Sequence, residues 1–400
     1  MQAYGDSGHR AARRVSGAST LVVTAAAVAL GWTAQASAQT VTLEGPVAAQ
    51  PEAFGMIGGV RELSDGSVLV ADPLGGSLFR LTADLGAMEV VGSEGEGPGE
   101  YRQPDSIWPI DGDRSLVVDL GNARLLEVGG DGHIGEGSPI VRSSGQGDDP
   151  MGGMMLAIPG GSDGLGHVYF TGRAMSRAGP RDSVELFRLD PKTGDPVQVA
   201  TLKAQDVTTS SGGGGNMSIS LVPMSPVDVW GATPDGKIFI GRVGDASIEV
   251  VSPDGSSVRG PRRDLDRVRI GRAEKEEFVA ERSRNGGVMV DIALGGDGGR
   301  RTQMSRSSGG RREIDGYTWP EVKPPFQGSI RVDSEGQAWV RRSMEAGEPA
   351  TFDVFDESGG HLRTVRLPPN RTLVSFGESA VYVARFDEFD QQFLEKYALP

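Results

Sequence analysis

The sequence predicts an all-β fold, a six-bladed β-propeller carrying a partly helical insertion between blades 4 and 5. Three observations predict it. A turn-and-strand unit recurs six times after residue 39. The spacing inside the unit is nearly constant. Glycine and proline, 60 and 24 of 400 residues, fall where a repeating hairpin needs turns.

The first half of the unit is a turn holding Asp-Gly or a near equivalent, then a β-branched or aromatic strand. It reads Ser64-Asp65-Gly66 with Val68-Leu69-Val70, then Asp111-Gly112 with Leu116-Val117-Val118. It returns as Asp163-Gly164 with Val168-Tyr169-Phe170, and as Asp235-Gly236 with Ile238-Phe239-Ile240. The last copies are Glu335-Gly336 with Ala338-Trp339-Val340, and Gly377 with Ala380-Val381-Tyr382-Val383. A second strand and another glycine turn follow each of the first five, 20, 20, 30, 19 and 23 residues from first Gly to second. Alternating apolar positions between glycine turns are hairpin signals. Such sheets cannot bury both faces alone, so they stack radially around an axis. Excess length over a typical blade falls in 145–155, 205–223 and above all 263–327. The final copy has room for three strands. Thr40-Val41-Thr42-Leu43 is therefore expected to supply the fourth and close the ring.

The N-terminus reads as an export address. His9, Arg10, Arg13 and Arg14 precede an apolar stretch over 18–31, and Ala36-Ser37-Ala38 offers a small-residue cleavage site. Residues 1–38 are expected to be a signal peptide cut after Ala38, leaving 39–400 secreted or periplasmic. Arg13-Arg14 leaves a twin-arginine route open beside general secretion. No later apolar run is long enough for a membrane helix. Cysteine is absent, which excludes disulfides, thiol catalysis and cysteine-bound metals. The net charge of −14 makes nucleic acid a poor partner. A monomer is expected.

One stretch is specific. Gly92-Ser93-Glu94-Gly95-Glu96-Gly97-Pro98-Gly99-Glu100-Tyr101 leads to Leu116-Val117-Val118-Asp119 and then Asn122 before Leu125. This resembles an NHL repeat. The copy over 64–81 matches it more loosely, with Asp72 where Asp119 stands. The resemblance implies the propeller fold and binding of a ligand or partner. It does not select one activity, because enzymes and non-enzymes share it. Asp72, Asp119 and Asn122 are expected at hairpin corners, capping free backbone groups.

Candidate sites are few. Gly160-Gly161-Ser162-Asp163-Gly164 spells a nucleophile-elbow pattern, but a proline precedes it and a strand follows, so it reads as a turn. The three histidines beyond the signal, His133, His167 and His361, lie in separate copies and are not expected to converge on a metal. A register after proline holds Trp108 and Trp230, with Arg61 and Arg331 in the corresponding stretches of other copies. It is expected to line the axial channel, where these four would stack on and hydrogen-bond a ligand. Residues 259–312 are arginine-rich, with a helix expected over 274–284. There Arg300, Arg301, Arg311 and Arg312 would form a basic lid for an anionic envelope component. The preferred reading is a binding module without cofactor or metal, its partner a small molecule, glycan or envelope protein. The alternative is a calcium-dependent propeller hydrolase or lactonase.

Overall fold

The structure is a computed structural model and describes residues 39–143, 154–176, 179–192, 194–211, 217–294, 300–307 and 314–400. The signal-peptide assignment, over 1–38, lies outside them.

Six antiparallel sheets follow one another along the chain, each beginning with its innermost strand. Sheet I comprises Gly59–Glu62, Val68–Asp72, Ser77–Leu81 and Met88–Val90. Sheet II comprises Pro104–Asp111, Arg114–Asp119, Arg124–Val128 and Ile134–Pro139. Sheet III comprises Gly161–Ser162, Val168–Thr171, Ser183–Leu189 and Val197–Lys203. Sheet IV comprises Val229–Ala232, Ile238–Arg242, Ser247–Val251 and Ser257–Arg259. Sheet V holds Phe326–Val332, Ala338–Arg342, Thr351–Phe355 and His361–Arg366, and sheet VI holds Arg371–Phe376, Ala380–Phe386 and Gln392–Ala398. The chain is a six-bladed β-propeller.

Strand alternation explains the ring. Side chains of one strand point alternately to the two faces of its sheet. Val68 and Val70 therefore pack against sheet VI, while Leu69 and Ala71, one residue out of phase, pack against sheet II. The same division yields cores between II and III, III and IV, IV and V, and V and VI. Every second strand is thus apolar on both faces. Each such side chain contributes about 1.5–3 kcal/mol on burial.

Closure differs from expectation. Ala48–Ala49, not Thr40–Thr42, pairs with Gln392–Ala398 and completes sheet VI. Thr40–Thr42 instead lies parallel beside His361–Arg366 as a fifth strand of sheet V. Three further amides, of Val47, Gln50 and Phe54, donate to carbonyls of Lys396, Leu394 and Gln392 at 2.8–2.9 Å. The leading segment thus staples two sheets, since both outer edges need covering.

The third copy is also set differently. Gly66, Gly236 and Gly336 take positive φ, and their counterpart in sheet III is Gly166 at +95°, not Gly164. The Asp caps do what turn chemistry predicts. Asp72 accepts from the amides of Gly55, Met56 and Gly75 at 2.7–2.9 Å, tying the incoming inner strand to the second strand. Asp119 accepts from Arg102 and Gln103 amides and from Asn122 Nδ2 at 2.8 Å.

Helix α1 (Arg272–Asn285) ends at Gly286, φ 61°, and a hairpin of Gly287–Leu294 and Arg300–Ser307 follows it. The sequence reading had the helix but not the hairpin.

Candidate functional site

A cavity of about 360 Å3 lies on the ring axis and takes lining from the inner strand or adjoining turn of all six sheets, among them Arg61, Trp108, Ser162, Ala232, Arg331 and Ser375. Neighbouring inner strands approach closely where glycine permits. A Cβ on Gly59 would stand 2.5 Å from Ile107 N, and one on Gly231 would stand 2.3 Å from Ile330 O.

Radial stacking has a consequence for the wall. Sheets meet face to face, so side chains of an inner strand aim mainly at the neighbouring sheets. What the strand turns to the axis is its backbone edge. The amides of Leu63, Thr233 and Asp333 donate back to their own hairpins at 2.8–3.0 Å. Antiparallel pairing alternates, so the residues before them, Glu62, Ala232 and Val332, turn their N–H and C=O towards the axis.

The four channel candidates separate on this geometry. Arg61 is buried, 7% exposed, and reaches across to the sheet II hairpin. It donates to Ser115 Oγ at 2.6 Å and to the carbonyls of Gly112 and Arg114. Burial pulls its guanidinium down to about 10, opposed by Asp113 and Asp111. Trp108 lines the cavity, packs on the II–III core and donates from Nε1 to Ser106 Oγ at 3.1 Å. Arg331 lines it too, with no hydrogen-bond or ion-pair partner among the described residues; burial alone lowers its pKa. Trp230 departs from the expected register. It pairs with Ile240, whereas Gly231, paired with Phe239, holds the position of Arg61 and Arg331. One residue of slip turns a side chain to the other face, and the Trp230 ring lies over Gly160 and Gly161 of sheet III. The shared proline spacing misled because the inner strand of sheet II pairs irregularly at both ends, shifting Trp108 relative to its proline.

Of the acidic groups at the cavity, Glu62 and Asp333 are already engaged, and Glu378 stands exposed at the rim. Burial pushes the Glu62 carboxyl up, but hydrogen bonds from Tyr382, Lys396 (Nζ 3.0 Å) and the Glu378 amide (3.0 Å) outweigh it and hold it below the usual carboxylate range. Asp333 accepts from Trp339 Nε1 at 2.8 Å and from the Glu335 and Gln337 amides. Asp163 does the same work in sheet III, accepting from Tyr169 OH at 2.9 Å. These two share the pattern Asp-x-x-Gly-x-x-aromatic, a signal for this pairing that is legible in the sequence but was not among the expected sites. Ser162 Oγ is buried without a partner among the described residues.

The histidines stay apart. His167 faces Asp163 at 2.9 Å and His361 faces Asp353 at 3.2 Å, in sheets III and V. Among the described residues no three His, Asp or Glu side chains group as metal ligands would. A larger pocket of about 810 Å3 lies beside the outer part of sheet II, where Glu127 pairs with Arg114 (2.5 Å) and Lys192 (2.7 Å).

The insertion crosses one end of the ring. Helix α1 receives the Ala346 and Gly347 amides of sheet V on Glu274 and Glu277, and Arg284 meets Asp390 of sheet VI at 3.2 Å. Beyond the helix, Arg306 pairs with Asp105, and its main chain exchanges hydrogen bonds of 2.7 and 2.8 Å with the Gln103 amide. Met304 is buried in the II–III core. Sheets V and II are opposite in a ring of six, so the insertion spans the end where the inner strands begin. The cavity includes turn residues Pro234, Ser334 and Glu378 at the other end. Arg300 and Arg301 belong to the second hairpin strand, but their side chains, with Arg311 and Arg312 entirely, lie outside the described residues.

No family model matches the sequence, and no characterised protein matches it by sequence. Solved structures resemble its fold at low identity. A member of the DUF4221 family from Bacteroides vulgatus is 9% identical with TM-score 0.49, over 89% of this chain and 96% of that one. A calcium-binding regucalcin from Agrobacterium tumefaciens is 11% identical with TM-score 0.38, over 91% and 97%. A gluconolactonase from Xanthomonas campestris is 11% identical with TM-score 0.41, over 90% and 88%. Among the described residues no helix is long and apolar enough to cross a membrane.

Proposed function

We propose that the protein is an exported binding module of the NHL-like propeller type, taking a small-molecule ligand into its axial cavity from the hairpin-turn end. The observation that carries this reading is the cavity itself. At about 360 Å3 it is of the size small ligands occupy, roughly 300–1,000 Å3. It supplies a half-buried indole, an arginine with no partner among the described residues and outward-turned backbone groups. The insertion across the opposite end favours entry from the turn side. Export follows from the basic, apolar and small-residue order of 1–38.

Two measurements test it. N-terminal sequencing of protein recovered from the envelope or medium should begin at Gln39; an intact N-terminus on a cytoplasmic product defeats the export reading. A thermal-shift screen of small metabolites should yield a ligand whose stabilisation is lost when Ala232, at the cavity wall, is replaced by Trp. Ligands that bind the A232W protein unchanged would move the site elsewhere.

A further inference from the structure

We propose that the cavity holds its ligand by an oxyanion group, a carboxylate or a phosphate, received on the Arg331 guanidinium and on main-chain amides of the inner strands. The proposal rests on the ligand-binding reading above and specifies its chemistry.

Arg331 is the starting point. It is half-buried at the wall of the cavity, and no acceptor answers it among the described residues. A cation taken from water costs free energy unless something compensates. The nearby carboxylates do not serve. Glu62 is occupied by Tyr382, Lys396 and the Glu378 amide. Asp333 is occupied by Trp339 and two amides of its own turn. The Glu378 side chain stands exposed at the rim. Arg61, at the equivalent position of sheet I, shows the alternative, with both terminal nitrogens of its guanidinium taken by the next sheet.

A planar guanidinium presents paired donors that match the two oxygens of a carboxylate or phosphate. The backbone supplies the rest. The N–H groups of Glu62, Ala232 and Val332 point towards the axis from three sheets, as edge-strand donors left without a ladder partner. Their carbonyls point the same way and would accept from hydroxyl or amine groups. The ligand is therefore a polar molecule with an anionic end, small enough for the cavity.

The test uses the full-length mature chain and two simple probes, sodium phosphate and sodium malonate, titrated calorimetrically at constant ionic strength with chloride as reference. At least one of them should bind saturably, and which one does assigns phosphate or carboxylate. R331M should weaken that binding at least tenfold, whereas R272A, on the exposed face of helix α1, should leave it unchanged. R331K keeps the charge but loses the fork and should fall between. Should R331M unfold, the R331K result decides. Equal binding by wild type and R331M, or no saturable binding of either probe, overturns the proposal. A neutral ligand from the thermal-shift screen that binds R331M as well as wild type overturns the oxyanion while leaving the binding function intact. Failure of every ligand in that screen defeats the function as well.

Discussion

Arg61 and Arg331 stand at the same position of two sheets and lead different lives. Each pairs across its hairpin with the second residue of the next strand, Leu69 and Trp339. Each extends towards the following sheet. Arg61 meets a hairpin that leaves the Gly112 and Arg114 carbonyls and Ser115 Oγ open, and it takes all three. Arg331 lies on the equivalent face, towards sheet VI, where no acceptor among the described residues takes its guanidinium and the Glu378 carbonyl already accepts from Ser334. The neighbour's turn, not the residue's own place in the repeat, decides whether an inner-strand arginine becomes a packing element or stays free for a ligand.

The largest effect should come from removing the engaged arginine. R61M leaves the part-buried Gly112 and Arg114 carbonyls and the buried Ser115 hydroxyl without their donor, and should lower stability by about 2–3 kcal/mol in urea unfolding. A loss no greater than that of R331M would erase the distinction. A smaller effect is expected next door at Glu62, which joins sheet I to sheet VI. Its pKa in the folded protein is depressed below the ordinary 4.5, so its stabilisation is complete above pH 4.5 and is lost as pH falls below that value. E62Q should cost about 1–2 kcal/mol at neutral pH, and its stability should fall less than that of wild type on acidification. Parallel acid titrations of the two would contradict this. Smaller again is S115A, which removes one of three acceptors from Arg61 and should cost about 1 kcal/mol.

Much of the ring was legible in the chain. Turn glycines and apolar second strands such as Val68-Leu69-Val70-Ala71 report local geometry, and local geometry repeats. Asp72 and Asp119 were legible for the same reason, since a short carboxylate at a strand end has few other uses. What stayed hidden is non-local. Thr40–Thr42 and Ala48–Ala49 are both short strands, and nothing in either says which sheet has the free edge. Trp230 follows its proline with the same spacing as Trp108, yet irregular pairing in sheet II puts the two rings on opposite faces. Arg61 and Arg331 look alike because the difference lies in hairpins about 50 residues downstream of each. The insertion's span from sheet V to sheet II has no local signature either, as Arg306 finds Gln103 and Asp105 some 200 residues back along the chain.

The smallest expected change in stability is at Arg331. Replacing it with methionine keeps the stem that packs against the inner strands and deletes a charge with no partner among the described residues. No acceptor among the described residues is left without its donor, and the guanidinium is only half-buried at an open cavity, so its removal relieves a small desolvation cost. R331M should therefore unfold within about 0.5 kcal/mol of wild type, or slightly above it. Urea unfolding of R331M and R61M under one buffer measures the contrast directly. A loss of 2 kcal/mol or more in R331M would mean that the guanidinium is engaged in the folded protein, and the two arginines would then be one structural device used twice.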